Sequence, residues 1–412
     1  MQAGDMPTDV AAIASGLQER LVSHTPAGQP RIELRLLTRP EAAARTERLV
    51  GIATSALDLF GEWFGPYPGS RLTIIDAPWR SGLAGAAYPQ VVVTSTRWIA
   101  PDRDLTSARS LIAAIAREYW LTGGPDRRDG WFEEGLMLYA GARGIHELLD
   151  TRNVTTPRYF GGFVPLPLRS LSLSFPPADP RPWSRHVVEV NEPATAPWRA
   201  SSAAPGGQAQ RAAVALHMIE RYIGWPALQQ ALAAFREQRH GRPLSAQEFA
   251  AVVSDQRGSD LAWLFDEAFR VSARFDYGIE ALSSEPSAGD ASRIRTSVTV
   301  RRYGDGLFAG TSEARAAMPG GSRSLPVEVR FADGSRVRDG WDGRDVGGDF
   351  VYESRSRAVS ASIDPDVVVL LDADRANNTR TLQPGWHEAG ARLAFQWIVW
   401  LQDVMLSCTA LA

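Results

Sequence analysis

Apolar residues recur at helical spacing early in the chain. Between residues 41 and 64, Leu49, Ile52, Ala53, Ala56, Leu57 and Phe60 share one face, which predicts an amphipathic helix. The preceding stretch has a different period. RIELRLL (31–37) alternates charged and apolar residues, as a half-buried strand does. FGPYPGS (64–70) carries two prolines and two glycines and predicts a turn. RLTIIDAP (71–78) and QVVVTS (90–95) read as strands. LTSARSLIAAIAREYWLTGG (105–124) returns to helical spacing, with Thr106 or Ser107 as cap and Gly123-Gly124-Pro125 as the stop. GWFEEGLMLYAGARG (130–144) predicts the next helix. Residues 1–30 read as a loosely attached segment with a candidate helix around 9–22.

Periodicity then fades. Residues 150–207 are rich in proline, serine and arginine, and SFPPADPRPWS (174–184) predicts a long irregular loop. Helical spacing returns in 209–224, 225–241, 245–258 and 260–271. From about residue 277 the pattern becomes that of strands: 294–304, 325–335, 349–365 and 366–372. Asp-Gly and Gly-Asp pairs between them suit hairpins, and together they predict a small antiparallel β-sandwich. The expected division is a tail and remnant strand (1–40), an α/β segment (41–150), a loop region (151–207), a helical part (208–276), a β-sandwich (277–384) and a terminal apolar helix (385–412).

Composition narrows the function classes. The 412 residues are 44% hydrophobic and 22% charged with net charge -3, as expected of a globular protein. No lysine and arginine cluster offers an electrostatic footprint for nucleic acid. Cys408 is the single cysteine, so an intramolecular disulfide and a multi-cysteine zinc site are both excluded. The first residues lack the basic and apolar regions of a signal peptide. LAFQWIVWLQDVMLSCTALA (393–412) has a single charge, Asp403, and approaches the ~20 residues of a membrane span. Docking on the protein's own core and contact with a membrane surface remain open for it. A clean span is disfavoured by the central aspartate. Localisation stays open, with membrane-associated and extracytoplasmic places both compatible with this segment.

Several local motifs, in their order, carry a resemblance. They are ALDLFGEWFGPYPGSRLTIIDAP (56–78), GAAYP (85–89), LIAAIAREYW (111–120), WFEEGLMLYA (131–140), the helices from 209 to FDYGI (275–279), and the strand region ending in SIDPDVVVLLDADRANN (362–378). Across residues 31–380 these resemble the aminopeptidase N family of gluzincin zinc metallopeptidases. The resemblance implies an α+β multidomain protein: a thermolysin-like catalytic α/β segment, a helical segment, a C-terminal antiparallel β-sandwich and a terminal apolar helix. It also implies that the family's N-terminal β domain is nearly absent, with RIELRLL as its last strand.

The resemblance assigns roles residue by residue. The family's two zinc histidines, one helical turn apart, fall at Ala113 and Arg117. The general-base glutamate falls at Ala114. The third zinc ligand matches Glu134. The substrate-loop glutamate that grips a free amine falls at Ala87, and the oxyanion-stabilising tyrosine at Ala209. Of these positions only Glu134 keeps the family's residue. Zinc, the cofactor of the family, is therefore not expected. Buried Arg117 and Glu134 would each be costly alone, so the two are expected to pair, with a guanidinium replacing the cation. The alternative is an outward Arg117 paired with Glu133 or another surface acid.

Other constellations compete with this picture. Glu118, Glu133 and Glu134 offer a paired-carboxylate site, although solvated helix faces are the ordinary place for acids. Arg117, Glu118, Glu133 and Glu134 are the candidate binding residues. The six histidines (24, 146, 186, 217, 240 and 387) form no close pair; His146 reads as a surface residue and His217 as an ordinary helix residue. Asp364, Asp372, Asp374, Asn377 and Asn378 suggest calcium or, more simply, Asx-rich turns. The expected function is that of a catalytically inactive peptidase module that binds a peptide or protein partner or scaffolds an assembly, with membrane contact through 393–412 as one of the two open readings of that segment. The alternative is an active zinc aminopeptidase, or another hydrolase, with a rearranged site.

Overall fold

A computed structural model describes residues 16–40, 45–78, 83–96, 106–121, 130–149, 205–239, 245–258, 261–270, 274–287, 290–308 and 325–383. The chain divides into two compact units. The first contains β1 (Gln18–His24), β2 (Ile32–Thr38), α1 (Thr46–Phe64), β3 (Arg71–Ala77), β4 (Ala87–Tyr88), β5 (Val91–Ser95), α2 (Thr106–Trp120) and α3 (Gly130–Leu149). Next along the chain, α4 (Pro205–Ile223) belongs to the second unit, whereas α5 (Trp225–Arg239) belongs to the first from Leu228 onward.

The first unit is built on a mixed five-stranded sheet in the order β1-β2-β3-β5-β4. β2, β3 and β5 are parallel, and the edges β1 and β4 are antiparallel to their neighbours. The alternation in β2 buries Ile32, Leu34 and Leu36, while Glu33 and Arg35 stay half exposed. The periodic face of α1 buries Leu49, Ala53, Ala56, Leu57 and Phe60. Phe60 stacks on Phe64 and meets Tyr119 of α2.

Helices α2 and α3 run antiparallel and lie close. A Cβ placed on Gly141 would stand 3.2 Å from the Ala113 Cα, so only glycine permits this approach without displacing α2. Arg236 of α5 ties the unit together. Its Nε donates to the Tyr119 carbonyl (3.1 Å), Nη1 to Phe64 (2.8 Å) and Nη2 to Pro66 (2.7 Å). The same guanidinium lies over the Tyr119 ring, 5.0 Å from its centroid. One cation thus satisfies carbonyls at the C-terminal ends of α1 and α2, where helix dipoles favour positive charge.

The second unit adds α6 (Ala246–Arg257) and α7 (Ala262–Phe265), which runs into a π-helical turn over Asp266–Arg270. Its strands are β6 (Tyr277–Ser287), β7 (Asp290–Arg302), β8 (Leu325–Phe331), β9 (Arg336–Trp341), β10 (Gly347–Ser354), β11 (Ala358–Ile363) and β12 (Thr379–Thr381). They form two antiparallel sheets, β10-β7-β6 and β12-β11-β8-β9. A buried bond from the Ala358 N–H to the Ser284 hydroxyl (3.1 Å) links β11 to β6 across the sheets.

Several expectations are corrected. The candidate helix at 9–22 gives way to a strand from Gln18, paired antiparallel with β2 across a Pro26–Gln29 turn; residues before 16 lie outside the described ones. The strand read in RIELRLL is β2, interior to the sheet of the first unit. The stretch 349–365 is two strands parted at 355–357. DVVVLLD (366–372) is not a strand. Val367 takes a left-handed backbone (φ 57), and the Val368 and Val369 N–H groups donate to the Asp364 carboxylate (both 2.8 Å) rather than to a ladder. The 260–271 helix is shortened to one α turn and one π turn, and α3 extends past 144 to Leu149. Helix α4 begins at Pro205, inside the expected loop, because proline suits the first turn of a helix. The rest of that loop and the apolar segment 393–412 lie outside the described residues. Within the described residues no helix is long and apolar enough to cross a membrane.

Candidate functional site

The sequence of α2 decides what its inner face offers. Ala114 is fully buried, Ala113 faces α3 at Gly141, and Arg117 follows one turn later. Antiparallel packing then sets Arg117 beside the start of α3. Its Nη1 donates to Glu134 Oε2 at 2.9 Å, and its Nη2 donates to Glu134 Oε1. The fork is bidentate, the strong arrangement for a guanidinium and a carboxylate. Nη1 also lies 3.8 Å from the Met137 sulfur, one turn further along α3. The pair is partly open: the side chains are 27% and 38% exposed.

This donor set does not suit zinc. Alanine has no ligand atom, arginine presents only donors, and both carboxylate oxygens of Glu134 are engaged by Arg117. Among the described residues, no three histidine, cysteine, aspartate or glutamate side chains come together as a metal site.

The other expected family positions lie on other elements. Ala87 lies half-buried in β4 and pairs with Val92. Ala209 is buried in α4 of the second unit. Glu133 is buried next to Glu134 in sequence. Glu118 takes partners of its own: Glu118 Oε2 accepts the Gln90 N–H (2.7 Å) and the Tyr67 hydroxyl (3.0 Å). Its Oε1 is buried without a hydrogen-bond partner among the described residues. Burial pushes the Glu118 carboxyl up to about 8, against the lowering effect of the Gln90 and Tyr67 bonds. The same burial, with Glu118 beside it, holds the Tyr67 hydroxyl well above its ordinary value. Gln90 adopts a left-handed backbone (φ 61) as the chain turns from β4 into β5, so Glu118 pins that turn to α2.

Sequence reasoning named Glu118 but not Tyr67, Gln90 or Arg236. Tyr67 in GPYPG was legible as a turn residue only. The signal that places it is a long-range contact, and no local pattern carries that. His146 is exposed, and His217 lies 3.6 Å from Glu220 one helical turn away. The Asx residues hold backbone. Asp372 accepts from Tyr277 N–H (3.3 Å), Asp374 N–H (3.1 Å) and Asn378 Nδ2 (3.1 Å), and Asn377 Nδ2 donates to Asp276. Burial pushes Asp372 up to about 7.

No family model matches the sequence, and no curated protein matches it. Solved structures do. Legionella pneumophila aminopeptidase A, solved with aspartic acid, aligns over 85% of this chain and 37% of its own, with TM-score 0.52 and 15% identity. The M1 zinc metallopeptidase of Deinococcus radiodurans aligns over 62% of this chain and 52% of its own, with TM-score 0.45 and 18% identity. The chain thus spans less than two thirds of the length of either. At such identities the likeness to the Legionella aminopeptidase is one of fold, and the fold is metallopeptidase-like.

Proposed function

We propose that this chain is a catalytically inactive module of the aminopeptidase N type, serving to bind a peptide or protein partner or to scaffold an assembly. One observation carries the reading: Arg117 grips both oxygens of Glu134 at the positions where the family has a zinc histidine and a zinc carboxylate. Hydrolysis in that family depends on a polarised water, a neighbouring base and a stabilised oxyanion. Here the corresponding positions are Ala113, Arg117, Ala114 and Ala209, none of which polarises water or takes a proton in those roles. The Arg117 guanidinium supplies the positive charge beside the Glu134 carboxylate at the place where the family resemblance puts zinc.

The test is a metal and activity measurement on the purified chain. Elemental analysis is expected to give zinc well below one per protein, and aminoacyl-anilide substrates are expected to show no chelator-sensitive turnover. Stoichiometric zinc together with chelator-sensitive turnover overturns the proposal.

A further inference from the structure

The geometry points to a binding surface: the free edge of β9 accepts an extended acidic peptide as a fifth strand of the β12-β11-β8-β9 sheet. β9 ends that sheet, and among the described residues it is paired on one side only.

The hairpin fixes which backbone groups are open. The Phe331 N–H bonds to the Ser335 carbonyl (3.0 Å), and the Gly334 N–H to the Phe331 carbonyl (3.0 Å), with Gly334 left-handed (φ 85). Bonded and open pairs alternate along an antiparallel ladder. The register Arg330↔Arg336, Val329↔Val337, Glu328↔Arg338 therefore turns the Val337 backbone toward β8 and the Arg336 and Arg338 backbones outward. The open stretch ends at Gly340, whose N–H is taken by the Asp339 carboxylate (2.8 Å).

The side chains specify the partner. Arg336 stands directly opposite Arg330 on the same face, an unfavourable like-charge pair. Arg330 bonds buried Glu328 (2.7 Å), and Arg338 bonds Glu328 (2.7 Å) and Asp366 (3.0 Å). Arg336 has no ion-pair partner among the described residues and is exposed. A carboxylate on an incoming strand opposite Arg336 completes that row. On the other face Val337 is 39% exposed, which suits an apolar neighbour between two acidic residues. A second copy of the chain suits the edge poorly. Two-fold pairing about Val337 sets Arg336 against Arg338 of the other copy. Main-chain bonds supply affinity and alternate side chains supply selectivity, the general logic of strand addition.

Fluorescence polarisation tests it, using the whole chain and two labelled peptides, acetyl-Ser-Glu-Val-Glu-Val-Glu-Ser-amide and its lysine counterpart. The acidic peptide is expected to bind and the basic one not. Arg336→Glu reverses the charge. Arg336→Pro removes one outward N–H while leaving the β8 ladder intact. Each is expected to weaken binding about tenfold, with a cooperative melting transition retained, raised slightly in Arg336→Glu because glutamate faces Arg330. Absence of acidic-peptide binding up to about 1 mM, equal binding of both peptides, or unchanged affinity in both variants overturns the proposal. So does concentration-dependent self-association that Arg336→Glu abolishes, since a second copy then holds the edge.

Discussion

Arg117 and Glu134 meet through two parallel hydrogen bonds across the α2–α3 interface, with the Met137 sulfur beside the guanidinium. Both side chains keep partial access to water, so screening limits the strength of the pair. A double-mutant cycle over Arg117→Ala and Glu134→Ala is expected to give a coupling of about 0.5–1 kcal/mol. Denaturant titration of the four proteins measures it, and zero coupling contradicts a stabilising pair.

Installing the zinc motif of the aminopeptidase N family in α2 is expected to give no activity. The triple change Ala113→His, Ala114→Glu, Arg117→His brings a carboxylate to a fully buried position and a larger side chain to one that Gly141 crowds. It leaves Ala87 and Ala209 unrepaired. Loss of a few kcal/mol of stability without aminopeptidase turnover is the expected outcome. Robust turnover by this variant overturns the expectation.

Arg236→Ala is expected to destabilise the protein by about 2–4 kcal/mol, because three carbonyls lose a charged donor and the Tyr119 ring loses its cation. Arg236→Lys is expected to recover little, since an ammonium lacks the planar fork. Thermal melts of the three proteins rank the effects.

Glu118 makes stability depend on pH. Folded, it keeps its proton up to about 8, whereas the unfolded chain releases it near the ordinary 4.5. Between these values the folded state binds more protons, so stability falls as pH rises through the window. Glu118→Gln keeps an acceptor for Gln90 and Tyr67 and removes the titration. Its advantage over the parent is expected to grow from pH 5 to pH 8 by a few kcal/mol at most. A pH-independent difference removes Glu118 as the cause.

Val367 is a β-branched residue in left-handed space, where Arg221 Nη1 holds its carbonyl at 2.7 Å. Val367→Gly is expected to leave stability unchanged or raise it by up to about 1 kcal/mol, since the relieved strain opposes the added chain entropy. A loss above about 1 kcal/mol shows that packing of the valine outweighs its strain.

What was legible in the sequence follows from the range of the interactions. The face of α1 and the alternation of β2 are local, and both elements formed close to where their periods predict them. The pairing of Arg117 with Glu134 was expected from the positions that the family resemblance assigns to them, although the cost of lone buried charge invoked for it is small, since both side chains are only half-buried. DVVVLLD misled because its β-branched residues suit a strand, while the Asp364 carboxylate claimed the N–H groups a ladder needs. The Glu118 cluster was illegible because its partners, Tyr67 and Gln90, lie 51 and 28 residues away. Arg236 reaches still further, 172 residues back to Phe64.

That reach has a consequence for synthesis. The first unit draws its closing helix from beyond Leu228, after α4 has been laid down for the second. A nascent chain halted after α3 has every strand of its sheet but no cation for the carbonyls of α1 and α2. The unit therefore matures only after the second has begun to emerge from the ribosome, and the two assemble as interleaved segments of one polypeptide rather than as successive beads.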